Sequence, residues 1–209
     1  MRKIIFATGN AHKMVEIREI LADLPFEILS MKEAGICLDI EENGATFEEN
    51  SKIKAMALAE YISSNREKFP ELEGCLVMAD DSGLEIDAMD GGPGILSARF
   101  MGENTPHSEK CKEILRRLSG LAGEARAADF RCVITAVGPD GDCITAEGII
   151  EGRIAEAPAG RNGFGYDPIF YVPEFGCTTA EMSEEQKNRI SHRGRALQEM
   201  RRLLSERNV

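Results

Sequence analysis

The sequence predicts an α/β fold, a mixed β-sheet flanked by helices, and three observations carry that prediction. Early in the chain, apolar strand-like runs alternate with amphipathic helical segments, as βα units do. Later, two β-rich runs meet at Gly138-Pro-Asp-Gly-Asp142, a strong hairpin signal that adds antiparallel pairing. Two helical segments then close the chain. No repeat, low-complexity tract or linker divides the 209 residues, so they read as one domain large enough to bury a core.

The elements follow in order. Lys3–Ala7 is a short buried strand, and the loop Thr8-Gly9-Asn10 leads to a helix over about Ala11–Asp23, with Met14, Ile17, Ile20, Leu21 and Leu24 on its apolar face. Phe26–Ser30 is a strand, and an acidic loop covers Asp39–Asn43. Thr46-Phe-Glu-Glu49 reads as a capping box opening a helix that runs to about Ser63. A polar insert, Ser63–Gly74, comes next. Strands are expected near Cys75–Ala79 and Leu84–Met89, before the turn-rich Asp90–Gly94. A helix over Ser108–Ser119 turns Cys111, Ile114, Leu115 and Leu118 inward, and the hairpin strands are Phe130–Val137 and Asp142–Ile150. After the Gly-rich Gly160–Gly165 come a strand, Pro168–Val172, and helices over Ser183–Asn188 (a second capping box, Ser183 with Gln186) and Ser191–Glu206.

Composition narrows the partners. The net charge of -11 opposes binding to a nucleic acid polymer, while leaving room for a small anion carried with a divalent metal. No apolar run approaches the ~20 residues that span a bilayer, so no membrane is expected. The N-terminus enters a strand directly, and the six cysteines show neither CxxC nor metal-ligand spacing. Reduced structural thiols in a cytoplasmic protein are the expectation.

Five places carry chemistry. Asp80-Asp81-Ser82-Gly83 sets two carboxylates at the end of an apolar run; they repel unless cations sit nearby, although a solvated turn presents the same residues. Thr8-Gly-Asn-Ala-His-Lys13 is a strand–loop–helix turn whose backbone N–H groups and lysine suit an anion, as well as an ordinary capped helix. It matches neither a Walker A loop nor a GxGxxG fingerprint. Glu41-Glu42 on the acidic loop could join the Asp pair in an oxygen-rich Mg²⁺ site. In Gly160-Arg-Asn-Gly-Phe-Gly-Tyr-Asp-Pro168, Phe164 could stack on a flat ligand and Asp167 could pair with its polar edge. Last, Ser191-His-Arg-Gly194 places cations in a first helical turn, where the dipole disfavours them by roughly 0.3–1 kcal/mol each. Together these describe a nucleoside triphosphate site in which charge neutralisation and positioning replace a protein nucleophile.

The chain resembles the inosine/xanthosine triphosphate pyrophosphatases. FATGNAHKMVEI, TFEENSKIKA, MADDSGLEIDAMDGGPGILSARF, PAGRNGFGYDPIF and AEMSEEQKNRISHRGRAL carry the resemblance from one end to the other. It implies an elongated, two-lobed fold on a long curved mixed sheet, an active site in the cleft between lobes, and a homodimer. It implies Mg²⁺-dependent hydrolysis of ITP, dITP and XTP to the monophosphate and pyrophosphate. Carried onto this chain, Thr8, Gly9, Asn10, Ala11, His12 and Lys13 hold the triphosphate, Glu41 and Asp81 hold the metal, Asp81 is also the general base, and Ser82 contacts phosphate. Phe164, Gly165, Tyr166 and Asp167 form the base pocket, and Lys187, His192 and Arg193 complete it. Ser51 stands where such proteins commonly have alanine. Two alternatives remain: a related pyrophosphatase acting on pyrimidine or modified nucleotides, as in the septum-formation-inhibitor family, or a nucleotide-binding sensor without catalysis.

Overall fold

The structure is a computed structural model, and it describes residues 2–206. The strands are β1 (Arg2–Phe6), β2 (Phe26–Ser30), β3 (Leu76–Ile86), β4 (Gly92–Pro93), β5 (Ala127–Val137), β6 (Cys143–Ile154), β7 (Phe170–Val172) and β8 (Cys177–Thr178). The helices are α1 (Ala11–Ile20), α2 (Phe47–Ser64), α3 (His107–Arg117), α4 (Glu184–Ile190) and α5 (His192–Glu206). The strands form one mixed sheet in the order β2-β1-β3-β5-β6-β7-β8, with β4 paired to β3. β1 is parallel to both β2 and β3, and the β6–β7–β8 pairings are antiparallel. The chain forms two compact units, residues 1–81, 133–147 and 196–209 in one and 82–132 and 148–195 in the other. Neither is continuous in sequence.

In the first unit, side-chain alternation on β1 and β3 decides the packing. Ile5 and Ala7 with Val77 and Ala79 share a core with Ala55, Leu58 and Ile62 of α2. Ile4, Phe6, Leu76 and Met78, on the other face, are buried as well. A strand covered on both faces reads as a continuous apolar run, which is why β1 and the start of β3 are recognisable from sequence. α2 is capped by Thr46, whose hydroxyl accepts from the Glu49 N–H. The expected return bond differs: Glu49 accepts from the Ala45 N–H at 2.6 Å, one residue before the cap. Ser51 donates to the Glu48 carbonyl, so in its fully buried 2.8 Å contact with Thr135 the threonine is the donor. A hydroxyl at position 51 is thus matched by a second one on β5. The insert that reads as polar contains Leu72, which is buried, and it lines a cavity of about 520 Å³ with Met56, Phe69, Cys75 and Val137.

The second unit has its own core of Leu84, Ile86, Ile114, Leu118, Phe130, Ile150, Ile169 and Phe170. Arg126 is buried inside it and donates to four carbonyls, of Ile154 (2.7 Å), Leu118 (2.9 Å), Leu121 (3.3 Å) and Ala155 (2.6 Å). One guanidinium therefore satisfies the ends of α3, its following turn and β6.

Several boundaries differ from expectation. The two strands anticipated at Cys75–Ala79 and Leu84–Met89 are one strand, β3, running straight through Asp80-Asp81-Ser82-Gly83. Lysines make a mid-strand acidic pair tolerable, as described below. Gly83 permits the close approach: a Cβ there would lie 2.2 Å from the Gly94 carbonyl oxygen. The strand expected at Pro168–Val172 starts at Phe170, after a 3-10 turn at Asp167–Ile169. β4 and β8, two residues each, carry too little pattern to read. Cys75, Cys111 and Cys132 are buried free thiols, whereas Cys37 and Cys143 are exposed. No helix among the described residues is long and apolar enough to cross a membrane.

Replacing Arg126 by methionine leaves buried carbonyls without donors at about 1–3 kcal/mol each. The expected result is a loss of at least about 3 kcal/mol, lowering the thermal midpoint by roughly 6–12 °C, measured by calorimetry.

Candidate active site

In the first unit, β3 presents Asp80 and Asp81 to opposite faces, and each meets its own lysine. Asp80 Oδ2 lies 2.8 Å from Lys13 Nζ, in the first turns of α1. Asp81 shares the face of Val77 and Ala79, against which α2 packs. Its Oδ1 lies 3.4 Å from Lys54 Nζ and its Oδ2 accepts from Asn50 at 3.2 Å. Lys54 also reaches Glu42 Oε2 at 2.8 Å, and Asn50 accepts from the Gly44 N–H. α2 thereby ties the acidic loop to the strand.

Within this group three carboxylates, Glu42, Asp80 and Asp81, face two ammonium groups, Lys13 and Lys54. Burial pushes the Asp81 carboxyl above its ordinary value by more than Lys54 pulls it down, and Glu42 adds to the rise. Burial alone would lower Lys54, but Asp81, Asp80 and Glu42 outweigh it and hold the ammonium above its ordinary value. Glu41 is exposed, and it is Glu42 that stands at Lys54.

The Thr8–Lys13 turn is built locally. Asn10 caps α1 by accepting from the His12 and Lys13 N–H groups, and its own N–H donates to Thr8 Oγ1. Asn10 thus takes two of the amides that the loop reading had left for an anion. A Cβ at Gly9 would meet nothing within 4 Å, so no protein contact demands glycine there. Ala11 and His12 are exposed.

In the second unit, Ser82 begins a positive group. Arg193 Nη2 donates to Ser82 Oγ at 3.0 Å, and its guanidinium lies 5.7 Å from the Phe164 ring centroid. Lys187 Nζ lies 4.9 Å from the same centroid and 2.7 Å from Asp167 Oδ2. Asp167 also accepts from the Phe164 N–H and from Thr179 Oγ1, so three protein groups engage its carboxylate. His192 stacks on Phe130 at 4.7 Å, and Ser191 caps α5 by accepting from the Gly194 N–H. Tyr166 is buried and donates to the Ser97 carbonyl, while Gly165 accepts a weak bond from Cys111 Sγ.

Lys54, Asn50 and Thr179 escaped the sequence reading as site residues. Asn50 and Lys54 were legible: they occupy the buried stripe of α2, in register with Phe47, Leu58 and Ile62, where polar side chains require a partner.

Residues 4–203 match the Ham1 family. The chain belongs to that family. It is 50% identical over 201 residues to a dITP/XTP pyrophosphatase of Clostridium perfringens, covering 96% of each chain. It is 42% identical over 204 residues to a dITP/XTP pyrophosphatase of Bacillus subtilis, covering 98% of each. Among solved structures, a HAM1 protein from Coxiella burnetii matches with a TM-score of 0.84 and 38% identity over 99% of this chain and all of that one. A Ham1 protein from Staphylococcus aureus matches with a TM-score of 0.83 and 38% identity. Membership of the Ham1 family accounts for the order of the motifs along the chain.

The elevated Asp81 carboxyl has a consequence for stability in this Ham1 protein. A carboxyl raised on folding binds more protons in the native state, so its stability contribution falls as pH rises from the ordinary value of 3.8 through the folded value. Asp81→Asn is therefore expected to raise the thermal midpoint at pH 7, by roughly 2–4 °C for each kcal/mol relieved. The advantage shrinks as the pH falls towards 3.8, measured by thermal melts across pH.

Proposed function

We propose that this chain hydrolyses nonstandard purine nucleoside triphosphates, ITP, dITP and XTP, to the monophosphate and pyrophosphate. The observation that carries this reading is the run Asp81-Ser82 itself: a carboxylate held by Lys54 and Asn50, followed at once by a hydroxyl bonded to a buried arginine beside an aromatic ring. Such groups suit the phosphates, divalent cation and flat base of a nucleoside triphosphate. The names of the relatives, dITP/XTP pyrophosphatases, support the substrate class.

The reaction places water oxygen on the α-phosphorus and breaks the bond to the α–β bridging oxygen, which leaves with pyrophosphate. Asp81 suits the proton acceptor, since burial lifts its carboxyl towards the range useful for base catalysis. Asn50 and Lys54 fix its two oxygens. Lys13 and Ser82 engage phosphate oxygens, with the Thr8–His12 turn alongside.

The donor set fits Mg²⁺. The carboxylates available are Asp81 and those of the Glu41-Glu42 loop, and substrate phosphates and water would supply the rest, as that ion prefers. Asp81 and the Glu41-Glu42 loop would hold it, and it would supply charge neutralisation at the phosphates.

Discrimination against adenine follows from donor chemistry, while guanine, which shares the C6 carbonyl, differs by its 2-amino group. Lys187 and Arg193 offer N–H groups and no acceptor, which suits the C6 carbonyl of hypoxanthine and xanthine. Adenine's C6 amine would leave such a donor unpaired, a mismatch that discriminates strongly. Phe164 supplies the stacking surface.

Two outcomes test the reading. Purified protein with Mg²⁺ should release pyrophosphate and IMP from ITP, far faster than it consumes ATP or GTP, and EDTA should abolish turnover. Orthophosphate with IDP would mean attack at the γ-phosphate and would sink the mechanism. Lys54→Met removes the cation nearest Asp81, so its carboxyl should rise further. The acid limb of kcat/KM should move to higher pH and kcat/KM at neutral pH should fall about 10- to 100-fold, of the order seen when a proton-transfer group is mistuned; an unmoved acid limb would remove Asp81 from the base role.

A further inference from the structure

We propose that Thr179 is a positioning residue for base recognition, acting through Asp167 on Phe164 and Lys187. The proposal rests on the reading of Phe164 and Lys187 as base contacts. Thr179 follows β8 and is 2% exposed, so its hydroxyl must find a partner within the protein. It lies 2.8 Å from Asp167 Oδ1, with the Asp167 carbonyl oxygen farther off at 3.2 Å. A hydroxyl has one proton to donate, and the nearer, charged oxygen receives it.

The other oxygen of Asp167 takes the remaining donors, Lys187 Nζ at 2.7 Å and the Phe164 N–H at 2.8 Å. The three donors come from three segments: the turn after β8, helix α4 and the Gly-rich loop. There is no slack around them. A Cβ on Gly163, which has a φ of +71°, would lie 2.1 Å from Asp167 Oδ2 and 3.1 Å from Lys187 Nζ. The turn that carries Thr179 also holds the start of the loop, because the Ala180 carbonyl accepts from the N–H groups of Arg161 and Asn162. Thr178, beside it, is committed to the Ala159 carbonyl and to the capping box with Glu181.

Asp167 is 3% exposed, so a carboxylate deprived of the Thr179 donor cannot substitute bulk water at Oδ1 without moving. Any rotation shifts both bonds at Oδ2. The Phe164 backbone and the lysine beside its ring then move relative to each other, and small misplacements of binding groups weaken recognition strongly.

The test compares Thr179→Ala, Thr179→Val and Thr179→Ser with the unmodified protein, each verified as folded by thermal melting. Steady-state kinetics with ITP are measured beside inhibition by inorganic tripolyphosphate, a probe with phosphates and no base. Loss of the hydroxyl should raise KM for ITP about 5- to 20-fold, the scale of one lost hydrogen bond felt at the base pocket, with kcat changed less than about threefold. The tripolyphosphate inhibition constant should stay within about twofold, and Thr179→Ser should restore KM. Unaltered KM in the Ala and Val variants, equal impairment in the Ser variant, or parallel loss of tripolyphosphate affinity would each overturn the proposal. If Val does not fold, the Ala and Ser pair, differing by the hydroxyl alone, decides. Failure of the unmodified protein to act on ITP would instead sink the functional reading, independently of Thr179.

Discussion

Two adjacent carboxylates inside a buried strand are the constraint from which the first unit is organised. Asp80 and Asp81 point to opposite faces of β3, so each bonds a different lysine. Each face must bring its own lysine, Lys13 from α1 and Lys54 from α2. An unpaired buried charge costs several kcal/mol, enough to threaten the fold as a whole. The same requirement fixes the turn before α1 and the capped start of α2 relative to β3. Parts with a chemical role are thereby placed by the need to neutralise the strand.

The second unit buries cations in turn. Arg193 and Lys187 are both buried, on α5 and α4, and Asp167 offers Lys187 a carboxylate. The ring of Phe164 lies within reach of both cations, which the negative face of an aromatic attracts. Cations at the start of α5 oppose the helix dipole, yet the turn is stabilised by a serine cap, a hydroxyl on Arg193 and a ring stacked on His192. The unfavourable charges are held by local partners rather than by the helix itself.

Much of this was legible in the sequence because the signals are local. Thr46 and Ser183 cap the helices they were expected to cap, and β2 has the expected bounds, because each depends on a few neighbouring residues. The break expected in β3 did not occur. Sequence patterning treats two carboxylates and a glycine as punctuation, whereas lysines 67 and 27 positions away neutralise the pair and the Gly94 carbonyl crowds the glycine. The role of Lys54 was readable in principle, since a lysine on the buried stripe of a helix is out of place without a partner. Thr179 was not: its meaning depends on Asp167, twelve residues earlier and joined to it through a turn that carries no periodicity.

Each charged group is also a network of bonds. Lys54 bridges Asp81 to Glu42 and Asn50 bridges Asp81 to Gly44, so the strand, helix and acidic loop share one network. Asp167 does the same for the loop, α4 and the turn after β8. Satisfied hydrogen bonds therefore hold each carboxylate in place within its own group.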